Sequence, residues 1–248
     1  MDHFRIVSRP EWLEARKAFL AKEKDFTRQR DALSAERRQL PLVRVDKEYL
    51  FSGQEGSVSL LDLFQGCRQL IIYHFMFDPS WDEGCPSCSH FADSFGGLVS
   101  HLGARDTAFV TVSRAPIDKI AAFKSRMGWT FPWVSSEGSD FNYDFHVTLD
   151  EASGSVDYNF EDAATLKAAG KIWVDELPGL SVFLREDKSV FHSYSTYSRG
   201  LDLLINTYNY LDLTPLGRQE EGLPWAQAWV RHHDKYAGQG AACACCER

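Results

Sequence analysis

The chain has 248 residues, 44% hydrophobic and 25% charged, and a net charge of −8. That length and composition fit a large globular domain with appendages and ample core. The acidic balance excludes the basic footprint that nucleic acid or an anionic membrane surface demands. No apolar run approaches the ~20 residues of a bilayer span, and Met1-Asp2-His3-Phe4-Arg5 lacks the apolar stretch of a secretory leader, so the expected address is the cytoplasm.

In chain order, Pro10 to Leu40 is charge-rich, with Trp12, Leu13, Phe19, Leu20, Phe26 and Leu33 near helical spacing, which predicts one or two amphipathic helices ending before Pro41. Short strands are expected at Leu42–Val45 and Tyr49–Phe51, and a short helix after Ser57–Phe64. Leu70 to Phe77 reads as a buried strand, and Ser89 to Val99 as the helix after it. Thr107–Ser113 is a β-branched strand, Ile117–Met127 an amphipathic helix, and Phe131–Val134 the start of a further segment. Strand, helix and strand at this spacing imply a parallel pair. Glu137–Gly154 reads as irregular, with a short helix expected around Ala163–Ala168. Pro178–Arg185 and Ser189–Tyr194, joined by Glu186-Asp187-Lys188, predict an antiparallel pair, and Leu201–Leu211 a closing helix. The division expected is a helical extension over 1–40, a main domain over 41–215 and a C-terminal extension over 216–248 whose cysteine-rich end reads as disordered.

Chemistry concentrates at Cys85-Pro86-Ser87-Cys88, in the loop leaving the apolar strand and opening a helix. A thiol at a helix start meets unpaired amides that favour thiolate, and a second thiol one turn on can displace a bound substrate by closing the ring. Cys85 is the candidate attacking thiolate, with a pKa expected between ~3.5 and 7.5, and Cys88 the resolving thiol. Pro86 and Ser87 set the turn and leave amides to face the sulfur. Asp82 and Glu83 oppose ionisation, which favours a reducing potential nearer roughly −270 than −120 mV, though their plainer reading is a solvated acidic loop. No cofactor is required, because the sulfurs carry the electrons.

A βαβ unit with C-x-x-C at its helix start, then a hairpin and a closing helix, resembles the thioredoxin fold, and Val110–Val134 with Ala115-Pro116 and Phe131-Pro132 is similar to the peroxiredoxin and alkyl hydroperoxide reductase C-like branch. More closely, His74–Phe77, Trp81–Cys88, Phe191–Gly200 and Tyr210–Arg218 resemble the bacterial domain of unknown function 899 family, whose members are described as thioredoxin-like or dithiol–disulfide oxidoreductases. The resemblance implies an α/β fold with a mixed central sheet flanked by helices. It also implies a cis proline facing the dithiol, a place that Pro178 occupies, and binding roles for Trp81, Pro86 and Ser87 beside the cysteines. Tyr194, Tyr197 and Arg199 fit either a pocket wall near the dithiol or a sheet edge.

Two other functions compete. A peroxiredoxin-like thiol peroxidase would share the fold, but Pro79 stands one residue too near Cys85 for that signature and Asp82 replaces its threonine. A non-catalytic binding module would leave the cysteines incidental. Zinc at Cys85 and Cys88 needs two more ligands, and Cys243, Cys245 and Cys246 supply them only if the tail folds back. His74, His90, His192 and the adjacent His232-His233-Asp234 read as satisfied or solvated side chains, and Cys67 as inert. The partner expected is a disulfide-containing protein or a small thiol, with no nucleic acid and no membrane; the oligomeric state stays open, a homodimer included.

Overall fold

Seven consecutive residues, Thr107–Ser113, are all buried, the mark of a strand covered on both faces. This strand, β5, belongs to the second of two units in the computed structural model, which describes residues 4–150, 157–172 and 174–236. The first unit, up to Pro41, is built on one helix, α1 (Arg9–Arg37), opened by a capping box in which Ser8 and Glu11 satisfy each other's backbone amides. No α1 residue is buried.

The second unit, from Leu42 onward, holds an eight-stranded sheet and short helices. Its first elements are β1 (Val43–Arg44), β2 (Leu50–Gly53), β3 (Gly56–Ser59) and β4 (Gln69–His74), then α2 (Pro86–Ala92) and α3 (Leu98–Gly103) before β5. After β5 come α4 (Ile117–Arg126), β6 (Trp133–Ser135), α5 (Phe141–Asp144), β7 (Asp157–Tyr158), β8 (Glu161–Asp162) and α6 (Ala163–Ala168). The hairpin β9 (Gly179–Glu186) and β10 (Ser189–Tyr197) precedes α7 (Asn206–Leu211). Sheet order is β1-β10-β9-β4-β5-β6-β2-β3, with β7 and β8 a separate pair. β4 and β5 run parallel, Ile71 opposite Phe109, whereas β9 runs antiparallel to both β4 and β10. The four central strands thus read fourth, third, first, second, with the third reversed: the thioredoxin-like fold, with all four strands expected from the sequence in one sheet.

Side chains alternate along β4, so the sheet divides two cores. Tyr73 joins Phe75, Phe91, Phe95, Phe109, Phe123 and Trp133 on one face. Leu70 and Ile72 join Val110, Val112, Phe141 and Phe183 on the other. Two expected helices are broken. The run after Cys88 stops at Ala92 and resumes at Leu98, because Phe95 turns into the core against Phe91, Phe109 and Phe131, and Gly96-Gly97 favour no helix. Leu201–Leu211 is a 3-10 turn, Ser198–Leu204, and then α7, parted where the buried Ile205 is extended.

His74, 1% exposed, closes β4. Its Nε2 lies 2.8 Å from Ser181 Oγ, which is 2.8 Å from Ser195 Oγ, itself 2.8 Å from His192 Nε2. Burial, with His192 nearby, pushes the His74 pKa down to about 3. Between pH 6.5 and 3 the unfolded chain therefore takes up a proton that the folded chain refuses. Stability from His74 is complete above pH 6.5 and falls by up to about 1.4 kcal/mol per unit below it. Denaturant titrations from pH 7 to 4.5 should show that slope flattened in His74→Gln, which is less stable at pH 7.

Candidate active site

The chain passes the end of β4 and returns to it. Phe75 N–H donates to the Val112 carbonyl (2.9 Å) and Ala115 N–H to that of Phe77 (2.8 Å), extending the β4–β5 contact. Asp78 then folds a turn by accepting from Ser80 N–H (2.8 Å), and Lys119 Nζ holds the carbonyls of Pro79 (2.7 Å) and Trp81 (2.8 Å). The excursion ends where Cys85 N–H donates to the Met76 carbonyl (3.0 Å). Gly84 is required at that return: a Cβ there would sit 2.6 Å from the Phe75 ring and 2.8 Å from that of Phe123.

Cys85 is the N-cap of α2, and its carbonyl accepts from both Ser89 N–H and Ser89 Oγ at 2.9 Å. Its thiol is half-buried at a cavity of about 1270 Å³, whereas Cys88, also lining it, is only 2% exposed. A hydrogen bond from the Cys88 thiol, opposed by burial and aided by the amides of Cys88 and Ser87 and the Ser87 hydroxyl, brings the Cys85 pKa down to about 7. Pro86 has no N–H, so the amides facing the sulfur belong to Ser87 and Cys88. Burial raises Cys88 well above the ordinary thiol range, an effect its bond to Cys85 reinforces. The Tyr73 hydroxyl bonds to Cys88 and Met76 N–H lies 3.5 Å from its sulfur. One thiol is half-buried with its pKa lowered; the other is fully buried with its pKa raised.

Glu83 pairs with Lys235 (2.6 Å) and Arg126, which hold its carboxyl below the usual range, so its charge is compensated locally. Of the residues singled out in the sequence, Pro86, Ser87, Pro178 and Arg199 line the cavity with the cysteines. Trp81 does not; it packs against the aromatic core. Tyr197 is turned away, its hydroxyl donating to the Phe145 carbonyl (3.0 Å), and Tyr194 is also off the lining. An aromatic run after a strand carries no record of which face each ring takes. Pro178 is not cis: every peptide bond among the described residues is trans, the form X–Pro prefers by about 0.5–1 kcal/mol. Leu177 N–H, bonded to the Val147 carbonyl (2.8 Å), brings Pro178 to the cavity in that form. Cys67 packs beside the second core, and Cys243, Cys245 and Cys246 lie outside the described residues.

Sequence reasoning overlooked Tyr73, Tyr158 and a clamp from the C-terminal segment. Tyr73 was legible by alternation, two positions before Phe75 on one face of β4. Tyr158 donates to the Pro178 carbonyl (2.9 Å) at the cavity wall. In the clamp, the buried His232 donates Nε2–H to the Gly84 carbonyl (2.8 Å). Residues 216–231 form much of the cavity's far wall, where Glu220 accepts from Tyr208 Oη (2.6 Å) and Trp229 Nε1 (2.8 Å). Among the described residues no three His, Cys, Asp or Glu side chains are grouped to hold a metal ion, and no helix is long and apolar enough to cross a membrane.

Sheet order and a C-x-x-C pair in the first turn after the first central strand define a thioredoxin-fold protein with a dithiol at its strand–helix junction. The chain belongs to the family described as bacterial protein of unknown function DUF899, whose model matches residues 1–236. No curated protein matches it. Among solved structures it is similar to a cysteine variant of PrxQ from Xylella fastidiosa (12% identity, 65% of this chain and 88% of that one, TM-score 0.41). It is also similar to a variant of peroxiredoxin Q from Xanthomonas campestris (16%, 65% and 90%, 0.41). A third is a Bacteroides vulgatus protein proposed to be a thiol-disulfide oxidoreductase (15%, 65% and 92%, 0.34).

Two measurements test the geometry. Alkylation of Cys85 by iodoacetamide should be half-maximal near pH 7, about 1.5 units below a free thiol, with Cys88 unmodified until the protein unfolds. Gly84→Ala should cost about 1–3 kcal/mol by overpacking, read by denaturant titration, and should slow that alkylation.

Proposed function

We propose that this protein is a thiol–disulfide oxidoreductase in which Cys85 attacks and Cys88 resolves. The observation that carries the reading is the asymmetry of the pair: a half-exposed sulfur with its pKa lowered to about 7 beside a buried one whose pKa is raised. Cys85 thiolate attacks a substrate disulfide, forming a mixed disulfide and expelling one substrate thiolate. Cys88 then loses its proton and attacks the Cys85 sulfur. The second substrate thiolate leaves, and the two protein thiols are oxidised to a bridge as the substrate disulfide is reduced. While Cys88 waits as a thiol, its hydrogen bond keeps Cys85 ionised; once its proton is gone, the Tyr73 hydroxyl and Met76 N–H are the donors that support its anion.

The substrate we assign is a protein disulfide or a small disulfide, because the cavity is lined both by apolar side chains (Met76, Ile172, Leu201) and by charged ones (Arg199, Asp202, Arg218). The compartment we assign is the cytoplasm, where such pairs serve chemistry rather than stapling. Thiol peroxidase activity is the weaker reading: it needs a hydroxyl three residues before Cys85, and Asp82 stands there.

Turnover of a model disulfide with a thiol reductant tests this directly. Cys85→Ser should fall to background. Cys88→Ala should still attack but stall, carrying one substrate half as added mass on Cys85. A Cys85→Ser protein with unchanged turnover would overturn the assignment, and peroxide consumption faster than disulfide reduction would favour the peroxidase.

A further inference from the structure

The cavity at Cys85 offers an incoming molecule a buried apolar surface. Phe91, Ile172, Leu177, Leu201, Ile205 and Val230 line it and are 3–7% exposed. Among its charged lining residues, Lys171 and Arg199 stand out in solvent, their side chains 62% and 84% exposed. Asp202 and Arg218, less exposed, are paired with each other at 3.1 Å. At about 1270 Å³ the cavity is larger than the roughly 300–1,000 Å³ of ordinary small-molecule pockets, so it has room for carbon arms on either side of a reacting sulfur pair.

Polar groups around the dithiol are satisfied within the protein. The Pro178 carbonyl accepts from Tyr158 Oη (2.9 Å), and that oxygen accepts in turn from Ser198 N–H (3.0 Å). Leu177 N–H is bonded to the Val147 carbonyl and Cys85 N–H to that of Met76. Tyr73 Oη bonds to Cys88, and Tyr208 Oη donates to Glu220 at 2.6 Å. The same Glu220 oxygen takes Gln227 N–H (2.9 Å) and Trp229 Nε1–H (2.8 Å). An amide that enters finds these partners taken, and each polar group left unpaired there weakens binding roughly five- to 150-fold. A buried methylene instead strengthens it about fourfold.

We propose that the substrate is a small disulfide with apolar arms, one whose sulfurs carry carbon chains or rings and whose polar ends reach solvent. The inference rests on the oxidoreductase reading above and names the substrate class of that site. Cys85 thiolate attacks one sulfur, and the arm on the other leaves as a thiolate and takes a proton. Cys88 then loses its proton and attacks the Cys85 sulfur, and the second arm leaves in the same way. One substrate disulfide and two protein thiols thus become two apolar thiols and the 85–88 bridge. Selection comes from burial of the arms against Phe91, Leu201 and Ile205. Charge does not select, because Arg199, Asp202 and Arg218 form one ion-pair group of mixed sign. A disulfide flanked by peptide amides is the poorer substrate.

The test is a single-turnover measurement on the reduced full chain. The protein is mixed with subsaturating bis(2-hydroxyethyl) disulfide, bis(6-hydroxyhexyl) disulfide or glutathione disulfide. Formation of the 85–88 bridge is timed by acid quench, alkylation and peptide mass spectrometry. Each rate is divided by that of the same disulfide with free 2-mercaptoethanol, which removes intrinsic reactivity. The hydroxyhexyl compound, its arms longer by several methylenes, should exceed the hydroxyethyl one by about tenfold or more, and glutathione disulfide should be slowest. Met76→Gln and Val174→Thr, which set a polar group on the partly buried lining at similar size, should each shrink that ratio about threefold. Equal normalised rates, or glutathione disulfide fastest, overturn the apolar class and leave the oxidoreductase reading standing, as does a ratio that both variants leave unchanged. If none of the three disulfides forms the bridge, the oxidoreductase reading itself fails and takes this proposal with it.

Discussion

One backbone hydrogen bond, from Cys85 N–H to the Met76 carbonyl, sets the geometry on which the site depends. It obliges an excursion from Phe77 to Gly84 to return to the end of β4, and the return is so tight that Gly84 has no room for a side chain between Phe75 and Phe123. The rest of the site is built on that closure. Cys85 begins α2 at a defined point, Cys88 falls one turn on and is carried into the core, and Tyr73 meets it from the strand. The pair's asymmetry is a packing result before it is an electrostatic one: α2 has one face on the aromatic core and the other at the cavity.

The same closure links the site to distant parts of the chain. The carbonyl of Gly84 is the acceptor for His232, 148 residues away, and the neighbouring Glu83 gathers Arg126 from α4 and Lys235. Partly exposed ion pairs of this kind contribute little individually. The buried His232 bond differs, since an unpaired carbonyl there would cost about 1–3 kcal/mol. The C-terminal segment is thereby made part of the site's wall.

How much of this was legible in the sequence varied with how local the cause is. The strands at Thr107–Ser113 and Pro178–Tyr194, and the helix at Ala163–Ala168, announce themselves through β-branched runs, turn residues and spacing, and they form at or close to the expected limits. The dithiol was legible because strand, loop and helix start are adjacent in the chain. The broken helix after Ala92 was not, because Phe95 obeys a tertiary demand, filling the space between Phe91, Phe109 and Phe131, that helical spacing does not display. For Tyr197 the sequence leaves pocket wall and sheet edge open for a related reason: period-two alternation does not say which face of β10 meets the cavity. His232 reads from sequence as a satisfied or solvated side chain; satisfied it is, but its acceptor carbonyl lies beside the dithiol, and no local pattern reveals that.

The shortness of α2 has a consequence of its own. Seven residues make barely two turns, so few peptide dipoles align behind Cys85, and the long-range field of a full-length helix is missing. The acidity of its thiol comes instead from donors in contact: the Cys88 thiol, the amides of Cys88 and Ser87 and the Ser87 hydroxyl. Contact hydrogen bonds inside a half-buried turn are hardly screened by mobile ions, unlike a dipole field reaching through solvent. The nucleophile is therefore set by neighbouring residues of its own turn and keeps its character across wide changes of ionic strength.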